Sequence, residues 1–289
     1  MARTKLLVLA GTRPEVIKLA PVVLLATQDY ADSFQVHLCL TGQHETMAYD
    51  ALSLFNIRPQ TDLQIMKAGQ TLNEIGTAVF SLLPPLLSDV SPDIVMVQGD
   101  TTTAALGAVA AFHQRLPVAH VEAGMRSHDL ESPFPEEANR RIISVLARYH
   151  FCPTELAKSH LEREGVPSER MFVTGNTVVD ALEWIRTHRL LPEAHEVVPG
   201  LSRPFVLVTA HRRESFGPGF ERICRALRTC ASRFPSVKFV YPVHLNPNVR
   251  RPVHALLEGL PNVILISPVN YVSLLGLLYQ CEFVLTDSG

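Results

Sequence analysis

The sequence predicts an α/β protein built from two Rossmann-like domains, and three observations carry that expectation. Short continuous apolar runs recur along the chain (residues 5–10, 34–40, 93–97, 205–209 and 237–241), as in parallel strands buried on both faces. Such runs give way to turns rich in Gly, Pro, Thr or charge, and then to apolar residues at helical spacing. Polar residues gather at the ends of these runs in two successive series, and parallel β-α-β units are the common way to build that pattern. The first domain is expected to cover residues 1–170 and the second residues 171–289.

Residues 5–10 form the first strand and feed the turn Gly11-Thr12-Arg13-Pro14-Glu15, after which Val16, Ile17, Leu19 and Ala20 start a helix. Such a helix N-terminus offers free N–H groups and a positive dipole end, which favours an anion, and Arg13 and Lys18 add fixed positive charge. Residues 34–40 are the second strand. Gln43 and His44 follow it, either facing a site or lying incidentally at a helix start. Residues 71–87 read as a helix that must break or bend at Pro84-Pro85.

The strand at 93–97 runs into Gln98-Gly99-Asp100-Thr101-Thr102-Thr103. The threonines supply capping hydroxyls, which leaves Asp100 as a functional carboxylate at the sheet crevice. The stretch 117–141 then packs Glu122, Arg126, Glu131, Glu136, Glu137, Arg140 and Arg141 beside one short apolar strand. That density fits either an ion-pair network or a proton-transfer site. Pro135 places Glu136 in the first turn of a helix.

Strands are expected at 149–153 and 171–174, the latter followed by Gly175-Asn176-Thr177 and an amphipathic helix to about residue 189. Residues 190–204, with three prolines and a glycine, read as a connection. A new series begins with strands at 205–209, 237–241, 263–266 and 283–286, and helices near 220–233 and 273–279. The last strand delivers the chain to Asp287-Ser288-Gly289 with no covering helix, so the second domain is expected to be incomplete and the chain truncated.

Composition excludes several classes. With 289 residues, 47% apolar and 19% charged, the chain is that of a globular protein long enough for two domains. A formal charge of −2 gives no basic field for nucleic acid. The apolar runs are too short to span a membrane, and the N-terminus shows no signal peptide, so a cytoplasmic protein is expected. The five cysteines lack metal-ligand spacing and read as core residues of a reduced protein. Neither G-x-G-x-x-G nor a Walker lysine loop is present, which argues against dinucleotide and P-loop sites.

Seven motifs occur in order: Gly11-Thr12-Arg13-Pro14-Glu15, Gln98-Gly99-Asp100-Thr101-Thr102-Thr103, His120-Val121-Glu122-Ala123-Gly124, Pro135-Glu136-Glu137-Ala138-Asn139-Arg140, Gly175-Asn176-Thr177, His211-Arg212-Arg213-Glu214 and Tyr241-Pro242-Val243-His244-Leu245-Asn246-Pro247. Together they resemble the non-hydrolysing UDP-N-acetylglucosamine 2-epimerases. The resemblance implies the two-domain glycosyltransferase-B arrangement and interconversion of UDP-N-acetylglucosamine and UDP-N-acetylmannosamine, by elimination of UDP to 2-acetamidoglucal and re-addition. It implies no cofactor and no metal, UDP and the UDP-sugar as ligands, and a homodimer through helices of the first domain, with Leu82, Leu83, Leu86 and Leu87 either on that face or in the core.

Position by position, the resemblance makes Asp100, Glu122 and Glu136 the acid/base candidates and His211 the group at the departing phosphate. Arg13, Lys18, Arg140, Ser288 and Gly289 would bind substrate, and Gln43 and His244 would belong to a regulatory site. Gly69 stands where regulated members carry Arg, and Val269 and Leu274 where members often carry Gln and an aromatic residue. A hydrolysing epimerase, a glycosyltransferase and a non-catalytic nucleotide-binding fragment remain alternative readings.

Overall fold

The computed structural model describes residues 2–42, 45–67, 69–212 and 215–287, and the chain divides into two compact units, Met1–Trp184 and Ile185–Gly289. The first unit contains β1 (Thr4–Ala10), α1 (Arg13–Thr27), β2 (Phe34–Leu40), α2 (Glu45–Leu54), β3 (Thr61–Asp62), α3 (Leu72–Val90), β4 (Ile94–Gln98), α4 (Thr102–His113), β5 (Val118–Val121), α5 (Glu136–Leu146), β6 (Tyr149–Cys152), α6 (Glu155–Arg163) and β7 (Met171–Val173), with α7 (Thr177–Thr187) at its boundary. Its seven strands are parallel in the order β3-β2-β1-β4-β5-β6-β7. The chain therefore winds outward in one direction from β1 and in the other from β4. The β1/β4 junction is the switch point at which open parallel sheets form their ligand crevice.

Leu7, Leu9, Val95 and Val97 pack under Leu83, Leu87, Ala104, Ala108 and Ile143 to make the main core. The alanines of α4 let that helix lie close to β1. Gly107 contributes to that approach, since a Cβ there would sit 2.3 Å from Leu9 Cδ2 and the leucine side chain would have to shift.

The second unit contains α8 (Ala194–Val197), β8 (Phe205–Thr209), α9 (Pro218–Arg233), β9 (Lys238–Pro242), α10 (Pro247–Leu257), β10 (Val263–Ile266), α11 (Tyr271–Gln280) and β11 (Phe283–Thr286). Its parallel sheet has the order β10-β9-β8-β11, again with a switch point, between β8 and β11. Buried Asn262 ties its Nδ2 to the carbonyls of Ala231, Phe234 and Val237, each at 3.0 Å, and so fastens the end of α9. No helix among the described residues is long and apolar enough to cross a membrane.

Three features depart from the sequence reading, and one choice it left open is resolved. The division falls after Trp184 rather than at 170/171, because β7 pairs with β6 and so completes the first sheet. Helix α3 runs through Pro84 and Pro85 without ending. The carbonyls those prolines leave free belong to Phe80 and Ser81, both exposed, so water can satisfy them. Leu83 and Leu87 are core, whereas Leu82 is exposed. Helix α10 was not expected; Asn246 caps it by accepting from Asn248 N at 2.9 Å, and Pro247 follows at the first helical position.

Candidate active site

The switch point of the first sheet holds a cavity of about 300 Å³, lined by Thr12, Pro14, Glu15, Lys18, Gln98, Gly99, Asp100, Thr101, Glu122, Met125 and Arg140. Register explains the gathering. Gln98 at the end of β4 lies beside Val121 at the end of β5, so Asp100 and Glu122 leave adjacent strands at the same edge of the sheet.

Asp100 does not cap α4; Thr101 does, accepting from Ala104 N at 3.1 Å. The Asp100 carboxylate is instead held at Oδ2 by Arg140, whose Nη2 and Nε donate at 2.7 and 2.9 Å. Its Oδ1 takes no hydrogen bond from the described residues. Asn139 donates to the Asp100 carbonyl at 2.8 Å and fixes the backbone as well. Arg140 is oriented in turn by Glu137 Oε2, 3.1 Å from Nη1.

Glu137 is fully buried and also accepts from Arg141 Nε at 3.2 Å and Ser127 N at 3.0 Å. Burial pushes its carboxyl up, but the bonds from Ser127, Arg141 and Arg140 and the charge of Arg126 outweigh this and hold it below the ordinary range. Arg126, with no exposed side-chain surface, is saturated by Glu164 at 2.7 and 2.8 Å and by Ser144. Part of the charge-dense stretch is therefore a structural ion-pair network.

Glu122 has a left-handed backbone, φ +66°. A non-glycine residue adopts that conformation only where its surroundings enforce it. Its Oε2 pairs with Lys18 and accepts from Gln98 Nε2, and its Oε1 accepts from Asn176 Nδ2 at 2.8 Å. Two residues on, Gly124 has φ +87°, and a Cβ there would meet the Ala157 carbonyl at 2.2 Å, so α6 packs directly against this turn. His120, one strand position from the site, is buried; its Nε2 donates to the Gly99 carbonyl at 2.8 Å, its Nδ1 finds no partner among the described residues, and burial holds the ring neutral, its pKa down to about 3.

The α1 N-terminus differs from expectation. Glu15 is buried, and its Oε2 accepts from Gly11 N at 3.0 Å and Thr12 N at 2.6 Å, while Oε1 accepts from Thr101 at 2.9 Å. Burial raises its pKa against the pull of these bonds. The chain's own carboxylate thus occupies amides that were expected to meet a ligand anion. Arg13 stands exposed beside this turn and pairs with none of the described residues; it is not among the cavity's lining residues.

Glu136 begins α5, half-buried, and is likewise outside the lining set. The structure therefore brings together Lys18, Asp100, Glu122 and Arg140, and keeps Glu136 and Arg13 apart from that cavity. Gln98, Glu15 and Asn176 complete the site without having been singled out individually. Glu15 carries a legible signal, the Thr12-x-x-Glu15 capping box. Gln98 has a weaker one, as a polar side chain ending an apolar strand.

In the second unit, Asp287 at the end of β11 accepts from His211 N at 3.2 Å and Arg212 N at 2.8 Å across the switch point. Burial pushes the Asp287 carboxyl up, but those backbone bonds bring it below its usual range. The His211 and His244 rings stack 5.5 Å apart at 6°, so the residue expected at a regulatory site lies against a catalytic candidate. Gln43, Ser288 and Gly289 lie outside the described residues. No group of three His, Cys, Asp or Glu side chains among the described residues is placed to hold a metal ion.

A family model described as UDP-N-acetylglucosamine 2-epimerase matches residues 26–289. The chain is 48% identical to the UDP-N-acetylglucosamine 2-epimerase of Yersinia pestis, over 99% of the chain and 77% of that relative. It is 49% identical to the Salmonella typhimurium protein of the same name, with the same coverage. Among solved structures, that of the Neisseria meningitidis UDP-GlcNAc 2-epimerase bound to UDP-GlcNAc superposes with a TM-score of 0.86 at 43% identity, covering 99% of this chain and 78% of that one. The Methanocaldococcus jannaschii UDP-GlcNAc 2-epimerase in complex with UDP-GlcNAc and UDP gives a TM-score of 0.78 at 30% identity, covering 99% and 79%. The chain thus spans about three-quarters of the length of these relatives.

Proposed function

Because the chain belongs to the UDP-N-acetylglucosamine 2-epimerase family, we propose that it reversibly inverts C2 of UDP-N-acetylglucosamine to give UDP-N-acetylmannosamine without hydrolysis. A carboxylate takes the C2 proton, the C2–H electron pair becomes the C1–C2 double bond, and the C1–O pair leaves with UDP. Re-addition of UDP to the resulting 2-acetamidoglucal, with a proton delivered to the opposite face of C2, completes the inversion. The reaction needs two proton-exchanging groups and cations for UDP, and neither is a redox step.

The observation that carries the reading is the pairing pattern around the cavity. Asp100 and Glu122 lie at adjacent strand ends, each with one oxygen held by a cation, Arg140 and Lys18 respectively. Among the described residues, Asp100 Oδ1 takes no hydrogen bond, and Glu122 Oε1 meets a neutral amide alone. Two oriented carboxylates are therefore free to exchange protons at one oxygen each, and Glu136 is proposed as the third acid/base group. Arg13 is proposed as the cation for the anionic part of the substrate, since Lys18 and Arg140 already have carboxylate partners. His211 is the proposed contact to the departing phosphate, and Ser288 and Gly289 are proposed to bind substrate. Exposed Phe80 and Leu82 on α3 and Phe112 on α4 support a homodimer through that helical layer.

Incubation with UDP-N-acetylglucosamine in deuterium oxide, followed by proton NMR, tests this. The expected result is a mixture of the two UDP-sugars with solvent deuterium at C2. Stoichiometric free UDP with free sugar would establish the hydrolysing reaction instead, and an unchanged substrate would overturn both.

A further inference from the structure

The motif Gly175-Asn176-Thr177 lies after β7, two strands away from β5, yet Asn176 reaches the carboxylate at the end of β5. The side chain has two bonds. Its Oδ1 accepts from Val178 N at 3.1 Å and so caps α7, and its Nδ2 donates to Glu122 Oε1 at 2.8 Å. Gly175, φ +79°, supplies the left-handed turn that swings the motif back towards the sheet.

Glu122 Oε2 is already taken by Lys18 and Gln98, so Asn176 alone decides what Oε1 meets among the described residues. We propose that Asn176 is a positioning residue for the reaction: it fixes Glu122 and marks Oε1 as the oxygen that exchanges the proton, Oε2 being committed to Lys18. This rests on the epimerase reading given above. The charged groups around the same cavity are Lys18 and Glu15 from α1, Asp100 from the β4–α4 turn and Arg140 from α5.

The capping and donating roles can be separated. Asp and Ser both cap helices well, so Asn176→Asp and Asn176→Ser preserve the start of α7 while removing the donor to Glu122. The aspartate also sets a like charge against Oε1, which makes proton loss from the pair harder. In Asn176→Asp, the limb of the pH–rate profile that belongs to Glu122 should move about one pH unit or more to higher pH, whether Glu122 serves as base or as acid. In Asn176→Ser, turnover should fall roughly tenfold or more with little change in KM.

Carbon-13 NMR of the Glu122 carboxyl, assigned with Glu122→Gln, should follow the same upward shift in Asn176→Asp and needs no turnover. If the chain does not epimerise, the reaction proposed above fails, and the carboxyl titration still decides this inference. Where Asn176→Asp lacks a cooperative melt, the turnover of Asn176→Ser decides it. Wild-type profiles, titration and turnover in the folded variants would reduce Asn176 to a helix cap and overturn the proposal.

Discussion

Replacing Glu137 with glutamine tests whether the charge-dense stretch is held together from within. The carboxylate has no exposed surface and takes bonds from Ser127 N, Arg140 Nη1 and Arg141 Nε. Glutamine keeps one acceptor oxygen but turns an amide N–H₂ towards the remaining donors; it takes from Arg141 its carboxylate partner among the described residues and leaves Arg140 with Asp100 alone. Arg141 is 40% exposed and can recover water, whereas Arg140 at 15% cannot do so fully.

Breaking a buried pair on one side costs about 3–5 kcal/mol. For a domain of this size each kcal/mol lowers Tm by about 2–4 °C, so the variant should melt roughly 6–20 °C lower. Activity should fall as well, because Arg140 loses the anchor that aims it at Asp100.

The pH dependence follows from sign. The folded-state pKa of Glu137 is depressed, so its stabilisation is full above the unfolded value of about 4.3 and is lost as pH falls through the folded value. Urea unfolding should therefore show a constant gap between wild type and Glu137→Gln from pH 5 to 8, narrowing below about pH 4.5. A Tm within 2 °C of wild type at pH 7 would refute the reasoning.

Asp100→Asn, Glu122→Gln and Glu136→Gln should each lower turnover by about 10²-fold or more, and near-wild-type turnover would remove that residue from the acid/base set. The Glu136 variant is the most discriminating, because Glu136 does not line the cavity. Asn262→Ala should destabilise the chain by about 1–3 kcal/mol in urea unfolding, since three carbonyls lose their shared donor. Glu15→Gln should behave oppositely to Glu137→Gln, leaving stability at pH 7 within about 1 kcal/mol of wild type or above it; a loss greater than about 2 kcal/mol would count against this.

Strand ends were the legible part of this sequence. Apolar runs stop where polar chemistry begins, and that is how Asp100 and Glu122 could be placed at one sheet edge. The pairings were less legible, since they join residues far apart in the chain: Lys18 meets Glu122, Asp100 meets Arg140, and Asn176 meets Glu122. The missed α10 has a different cause. Its start is a cap followed by proline, and Pro252 inside it reads as a breaker unless neighbouring packing buries Val249, Val253 and Leu257. The prolines of α3 misled in the same way. A proline's cost depends on whether the carbonyl it strands can reach water, and sequence does not carry exposure.

Glu15 and Glu137 show the same limit in electrostatics. Both are glutamates in the first turn of a helix, and both are buried. Dipole reasoning from sequence gives them one answer: a carboxylate near a helix N-terminus is stabilised. The fold gives them opposite answers. For Glu137 the cost of leaving water is outweighed by the Ser127 amide and the two guanidinium donors together with the charge of Arg126, so its carboxyl is held low. Among the described residues Glu15 meets amides and hydroxyls but no cation, and desolvation prevails.

The consequence reaches function. The amides of Gly11 and Thr12 are bound by Glu15, Pro14 has no N–H, and Glu15 N faces the Thr12 hydroxyl, so among the first-turn amides the Arg13 N–H is what this helix start has left to offer a phosphate. A ligand anion approaching it would meet a buried carboxylate before it met the dipole. The proposed attraction then rests on a side chain not already paired among the described residues, and beside this turn that side chain is Arg13.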